Sequence, residues 1–147
     1  MIIIIYGPAA CGKTTIANNL KRRLENQGFG FRIIHSDDYK SNTYDRILRE
    51  VNETDDDLII DGTFYKKKWR DIFRDKKGVK FINIAADIET CIRRNKQRSD
   101  PIEEKAVYII YNSFENGDYD LKIDSDDKPV KEIIDIIIER LDLNERD

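Results

Sequence analysis

Ile2-Ile3-Ile4-Ile5-Tyr6-Gly7-Pro8-Ala9-Ala10-Cys11-Gly12-Lys13-Thr14 is the stretch that decides the fold. Consecutive β-branched residues without polar alternation describe a strand buried on both faces, and Tyr6-Gly7-Pro8 ends it. From Lys13 the period changes: Ile16, Ala17, Leu20 and Leu24 mark one face of a helix that stops near Gln27-Gly28. Between the two, Gly7 to Thr14 satisfies G-x-x-x-x-G-K-[ST] at every fixed position. Its glycines let successive backbone N–H groups converge on a β-phosphate at the N-terminus of the helix. Lys13 is expected to bridge the β- and γ-phosphates as a point charge, and the Thr14 hydroxyl to ligate Mg²⁺. The expected ATP contacts of the loop are Gly7, Pro8, Ala9, Ala10, Cys11, Gly12, Lys13, Thr14 and Thr15.

Outward from this unit, strands and helices alternate. Phe31 to His35, Leu58 to Ile60, Val79 to Ala85 and Leu121 to Ile123 read as further strands. Helices are expected from Thr43 to Asn52 and from Lys66 to Lys76. Another is capped by Asp87 and carries Arg93, Arg94 and Arg98 in its last turns. Pro101 suits the first turn of a helix reaching about Glu115, and Pro129 opens a final one through Leu141. The polar tail after Leu143 reads as frayed. This pattern predicts an α/β, three-layer P-loop NTPase fold with a five-stranded, mostly parallel sheet. The 147 residues fit one domain, 1–147, with a helical lid over about 93–101.

Charged residues make up 37% of the chain, yet the net charge is only −3, which argues against a protein dominated by non-specific nucleic-acid attraction. Two cysteines, one inside the phosphate loop, make no disulfide framework and point to a reducing, cytoplasmic setting. The apolar run Ile2 to Tyr6 is far too short to span a membrane, so no membrane partner is expected.

Ligands of open α/β sheets sit at the carboxyl ends of the strands, and three polar constellations fall there. His35-Ser36-Asp37-Asp38-Tyr39-Lys40 follows the second strand. An aspartate in that place can align an acceptor hydroxyl or take its proton, while the other caps a helix. The residues alone leave open whether Asp37 or Asp38 is the base. Asp61-Gly62-Thr63 follows the third strand, where an acid beside the phosphate loop holds a magnesium-bound water. A turn-forming Asp-Gly is the plainer reading of the same residues. Arg93-Arg94-Asn95-Lys96-Gln97-Arg98 concentrates cations that repel one another unless they meet anions, and a triphosphate is a ready one. Arg94 and Arg98, four apart on a helix, would share a face.

This order of motifs resembles the nucleoside-monophosphate-kinase-like superfamily of P-loop kinases. His35 to Lys40, Ile60 to Thr63 and Arg94 to Arg98 with Pro101-Ile102 look like the kinase domain of polynucleotide 5′-hydroxyl kinases. Asp61-Gly62-Thr63-Phe64-Tyr65 with Trp69-Arg70 is similar to phosphoseryl-tRNA kinases. Cys91 to Asn95 and Asp120 to Asp124 share features with adenylylsulfate kinases. The resemblance implies Lys13, Asp37 and Arg98 as catalytic residues, Arg94 and Arg98 on ATP phosphates, and Thr14 and Asp61 on the metal. It implies acceptor contacts at Asp38, Lys40, Thr63, Tyr65 and Arg70, and an adenine site along Ser125 to Pro129. Lys40 stands where polynucleotide kinases place an arginine, and so lacks the planar fork for bidentate phosphate recognition.

Basic residues cluster between Lys66 and Arg98, with Tyr65 and Trp69 interleaved, while acid gathers at Glu53 to Asp57 and Asp118 to Asp127. The middle segment suits phosphate contact and base stacking, and a solvated helix face suits the same lysines. The leading expectation is an ATP- and Mg²⁺-dependent kinase acting on a hydroxyl of a nucleotide or a nucleic-acid 5′ end. A small-molecule kinase of the adenylylsulfate type and a non-catalytic ATP-binding switch are the alternatives.

Overall fold

In the computed structural model, which describes residues 1–144, Ile2–Tyr6 forms strand β1 and every one of its side chains is buried. The two faces of β1 feed two cores. Ile3 and Ile5 pack with Leu20 and Leu24 of helix α1 (Lys13–Asn26) and with Ile134 and Ile137 of α6 (Val130–Arg140). Ile4 and Tyr6 pack with Ile47 of α2 (Thr43–Asn52) and Phe73 of α3 (Lys67–Arg74). Each fully buried isoleucine contributes about 1.5–3 kcal/mol of transfer free energy, so the apolar run that reads as a strand is also the keel of the fold.

Strands β2 (Phe31–His35), β3 (Asp57–Gly62), β4 (Val79–Ala85) and β5 (Leu121–Asp124) complete a five-stranded sheet in the order β2-β3-β1-β4-β5. Every pairing is parallel. The expectation of a mostly parallel sheet is therefore met by an all-parallel one. Parallel strands need crossover connections, which the helices supply, α4 (Ile88–Lys96) and α5 (Glu104–Asn112) together linking β4 to β5. After β3 the chain passes over β1 to reach β4, so β1 lies at the point where strand order reverses and a crevice opens at the carboxyl ends.

The boundaries expected for β2, α2 and β4 match. The bounds of β3, α3, β5 and α6 shift by one or two residues at an end, and those around the expected lid shift for a local reason. The helix expected from Pro101 begins only at Glu104 and ends at Asn112. The Asn95 side chain explains the delay: its Nδ2 donates to the Ile102 carbonyl (2.7 Å) and its Oδ1 accepts from the Ile102 N–H (3.1 Å), which holds Ile102 out of the helix. Arg98 consequently lies beyond the end of α4 rather than in its last turn. Asp87 occupies the N-cap position of α4 but makes no side-chain cap; its N–H donates to Asp126 Oδ2 (2.9 Å) instead. Neither Asp37 nor Asp38 caps a helix, because both lie in a 3₁₀ turn and Asn42 precedes α2. From residue 145 onward, the tail read as frayed lies outside the described residues. Among those described, no helix is long and apolar enough to cross a membrane.

Gly7 is where β1 presses hardest on its neighbour. A Cβ there would stand 2.2 Å from the Ile84 carbonyl oxygen of β4, a backbone atom that cannot swing aside. Gly7→Ala is expected to lower unfolding free energy by about 1–3 kcal/mol, the usual cost of overpacking, as read by urea denaturation. An unchanged midpoint would mean that β1 and β4 are not in this close contact.

Candidate nucleotide and acceptor cleft

The chain between β1 and α1 supplies the phosphate cradle. Ala10 (φ 62°) and Gly12 (φ 101°) both take left-handed backbone, the alternation that turns successive N–H groups to one side. For Ala10 this costs roughly 1–2 kcal/mol, which surrounding structure must offset. The Lys13 ammonium is buried under the loop and donates to the Pro8 carbonyl (2.7 Å). Thr14 and Thr15 stand exposed at the start of α1. Burial pushes the Cys11 thiol up, so this cysteine is a packed apolar group and not a nucleophile.

A cleft of about 1080 Å³ opens above this loop and is walled by the carboxyl ends of β2 and β3 on one side and by Arg94, Arg98 and Ser125 on the other. That volume lies at the upper end of ligand pockets, about 300–1,000 Å³, and leaves room for a nucleotide together with a second reactant.

On the β2–β3 wall, parallel register makes His35 and Asp61 direct partners, and His35 Nδ1 lies 2.5 Å from Asp61 Oδ2. Asp61 is only 2% exposed. Burial pushes its carboxyl up, while the neighbouring His35 and the Lys13 ammonium pull it back. Among the described residues, no group of three or more acidic, His or Cys side chains could hold a metal alone. Thr14 and Asp61, both on the cleft, are the hard oxygen donors that fit Mg²⁺, which keeps most of its shell for water and phosphate oxygens. His35, not singled out from the sequence, orients the carboxylate; the strand register that joins them is not visible in linear order.

On the opposite wall, Arg94 grips the protein itself. Its Nη1 donates to the Cys11 carbonyl (2.8 Å) and to Ser125 Oγ (3.1 Å), and its Nη2 donates to the Ser125 carbonyl (3.1 Å). Ser125 Oγ also lies 3.0 Å from the Cys11 carbonyl. The arginine expected on phosphates thus braces the phosphate loop against the segment after β5, beside the cleft. Ser125 and Lys128, from the stretch expected to hold adenine, both border that cleft. Arg98 reaches across: its Nη2 lies 3.9 Å from Asp37 Oδ2. Asp37 is 79% exposed, and so exposed a pair contributes little to stability, which leaves both groups available to ligands.

The remaining acceptor candidates separate. Asp38 and Thr63 line the cleft, whereas Lys40 is exposed outside its lining and Tyr65 packs edge-on against Trp69 (centroids 4.8 Å). Arg70, expected among the acceptor contacts, is fully buried and cannot serve as one. It donates from Nη1 to the Phe64 carbonyl (2.6 Å) and from Nη2 to the Glu115 carbonyl (2.5 Å), with its guanidinium over the Tyr6 and Phe114 rings. Removing a guanidinium from water costs several kcal/mol, so these two carbonyls and two ring faces are what make the placement tolerable. Phe64 itself sits at φ 44°, a strain of about 1–3 kcal/mol for an aromatic residue.

Asp61 carries opposite expectations for stability and binding. Its folded-state pKa is raised, so the stability it contributes is fully present below its unfolded pKa and is lost as pH rises through the folded value. Burial penalises the charged form of this carboxyl. Asp61→Asn keeps an acceptor for His35 and is expected not to lower unfolding free energy at pH 7, while Mg²⁺-dependent ATP affinity falls about 10–100-fold, as for other oriented metal-shell groups. Calorimetry of ATP binding with and without Mg²⁺ checks this; a less stable variant with unchanged Mg²⁺ dependence would assign Asp61 to the fold alone.

Solved structures of similar shape include several kinases. A sugar kinase from Janibacter sp. is 17% identical, covering 97% of this chain and 94% of that one, with a TM-score of 0.77. The Mycobacterium tuberculosis APS kinase, solved with AMPPNP and APS, is 15% identical over 96% of both chains, with a TM-score of 0.72. Chaetomium thermophilum Kti12, solved with ADP-AlF3, is 18% identical, covering 95% of this chain and 98% of that one, with a TM-score of 0.73. No curated protein matches the sequence. The family model described as Chromatin associated protein KTI12 matches residues 1–145, and the chain belongs to the KTI12 family.

Proposed function

We propose that the cleft binds ATP·Mg²⁺ and directs its γ-phosphate at a hydroxyl held beside Asp37, as in a polynucleotide 5′-hydroxyl kinase. The observation that carries this reading is the Asp37–Arg98 pair: an exposed acid and an exposed cation, 3.9 Å apart, line the same cleft as Lys13. A site that only stores nucleotide needs no acid on that side. In this reading Asp37 orients the acceptor oxygen and receives its proton as the oxygen–phosphorus bond forms and the β–γ bridge breaks. Lys13 and Arg98 stabilise the charge on the transferring group, with Arg94 holding the loop; Thr14 and Asp61 would hold Mg²⁺, which would supply further charge neutralisation. Asp38 and Thr63 border the acceptor; Lys40 and Tyr65 meet only a longer one, such as a nucleic-acid strand that leaves the cleft. The segment 93–101 acts as a lid that excludes water.

One observation favours a second reading, a nucleotide-governed switch. Arg94 joins the Cys11 carbonyl to α4, so an adjustment of the loop on binding ATP is passed to that helix. The family's description, chromatin association, also speaks of a partner surface rather than a small acceptor.

Transfer of labelled γ-phosphate to a panel of 5′-hydroxyl oligonucleotides, nucleosides, nucleoside monophosphates, adenylylsulfate and seryl-tRNA distinguishes these. Label is expected on a 5′-hydroxyl end, with a loss of about 10²-fold or more in Asp37→Asn and retained ATP binding. Label on adenylylsulfate would indicate a small-molecule kinase. ATP binding without transfer to any acceptor would favour the switch.

A further inference from the structure

Phe64 is a fully buried aromatic residue with left-handed backbone, and both of its peptide groups are held by side chains from elsewhere. Its N–H donates to the Tyr44 hydroxyl of α2 (2.9 Å), and its carbonyl accepts from Arg70 of α3 (2.6 Å). The same Tyr44 hydroxyl lies 3.3 Å from Thr63 Oγ1, and Tyr44 and Thr63 both border the cleft. Strain that is over-determined in this way marks a conformation the surroundings are built to impose. The bend at Phe64 returns the chain into the core directly after Thr63 and fixes where that threonine stands.

Arg70 extends the hold to the far side. Its second nitrogen reaches the Glu115 carbonyl, and Gly117 permits the approach, since a Cβ there would lie 3.0 Å from Nη2. Glu115 in turn donates its N–H to the Tyr65 carbonyl (2.8 Å) and accepts from the Lys67 N–H at its carboxylate (2.8 Å). The β3–α3 loop is therefore stitched to α2 on one side and to the segment after α5 on the other. A buried arginine with no ion-pair partner among the described residues, its two terminal nitrogens on the carbonyls of two loops and its Nε unpaired among those residues, is poorly explained by core packing alone.

We infer that Tyr44 and Arg70 are positioning residues: together they hold Phe64 in its left-handed conformation and thereby set Thr63 as the acceptor-side wall of the cleft. The inference rests on the reading of that cleft as a phosphotransfer site. Neither residue touches ATP or the transferred phosphate in this role.

Tyr44→Phe removes one hydroxyl and keeps the ring stacked on Trp69, so it tests the hold without emptying the core. With Mg²⁺·ATP and a 5′-hydroxyl oligoribonucleotide as probe, turnover is expected to fall about two- to tenfold, the weight of one hydrogen bond, with KM for ATP unchanged. Because Tyr44 acts through Thr63, Tyr44→Phe added to Thr63→Ala is expected to cost nothing further. Amide exchange at residues 63–65 should accelerate in Tyr44→Phe and in Arg70→Lys, which keeps the charge and loses the fork. A parallel rise in KM for ATP, losses that multiply in the double variant, or unchanged exchange would each overturn the assignment. If the parent protein phosphorylates no acceptor, the phosphotransfer reading fails, and exchange alone decides the hold. Acceleration confined to residues 63–65 upholds it, and acceleration throughout the sheet or none at all overturns it.

Discussion

The carbonyl oxygen of Cys11 is the point on which the site depends. It lies inside the phosphate loop and accepts from Arg94, with Ser125 Oγ at bonding distance as well. A backbone oxygen that takes a charge-assisted bond has its peptide plane fixed, and in a loop of alternating left- and right-handed residues one fixed plane constrains its neighbours. The loop could not hold its strained Ala10 alone. It is held because β1 beneath it is buried on both faces, because Gly7 lets it lie against β4, and because α4 and the β5–α6 turn grip its outer edge.

The same economy recurs along the carboxyl edge of the sheet. Polar groups there are kept at a cost: the Asp61 carboxyl almost wholly out of water, an aromatic residue in left-handed backbone, and an arginine in the core. Each is fixed by a partner from a different element: His35 from the next strand, Tyr44 from α2, and the Glu115 carbonyl from the segment after α5. The isoleucine-rich centre supplies the stability that permits these costs, and polar side chains at the strand ends supply the geometry. The cleft is thus divided into a rigid side, from β1 to β3, and an adaptable side, where the Arg98 side chain has, among the described residues, an exposed contact to Asp37 and no closer polar partner.

How much of this is legible in the sequence follows from the range of the forces involved. The phosphate loop, its flanking strand and helix, and β2, α2 and β4 rest on local periodicity and turn chemistry, which linear order displays. Asp37, Asp38, Asp61 and Thr63 fall on the cleft because the carboxyl ends of parallel strands converge there whatever the details. Contacts set by tertiary register are not legible. His35 meets Asp61 because β2 pairs with β3 in one particular alignment. Arg70, beside three lysines, reads as an acceptor contact, yet lies buried against the Tyr6 and Phe114 rings and the Phe64 carbonyl, residues spread over more than a hundred positions of sequence. Asn95 reads as one more polar residue in a lid, and its two bonds to Ile102 decide where α5 can start.

The central claim is that this cleft stabilises a phosphoryl group in flight rather than merely retaining a nucleotide. Binding of ADP with Mg²⁺, measured by calorimetry with and without aluminium fluoride, tests that claim without knowledge of the acceptor. A phosphotransfer site is expected to bind the planar fluoride complex at least about 10²-fold more tightly than ADP alone, as transition-state analogues do. Equal affinity in the two conditions would contradict the account and leave a nucleotide-binding switch in its place.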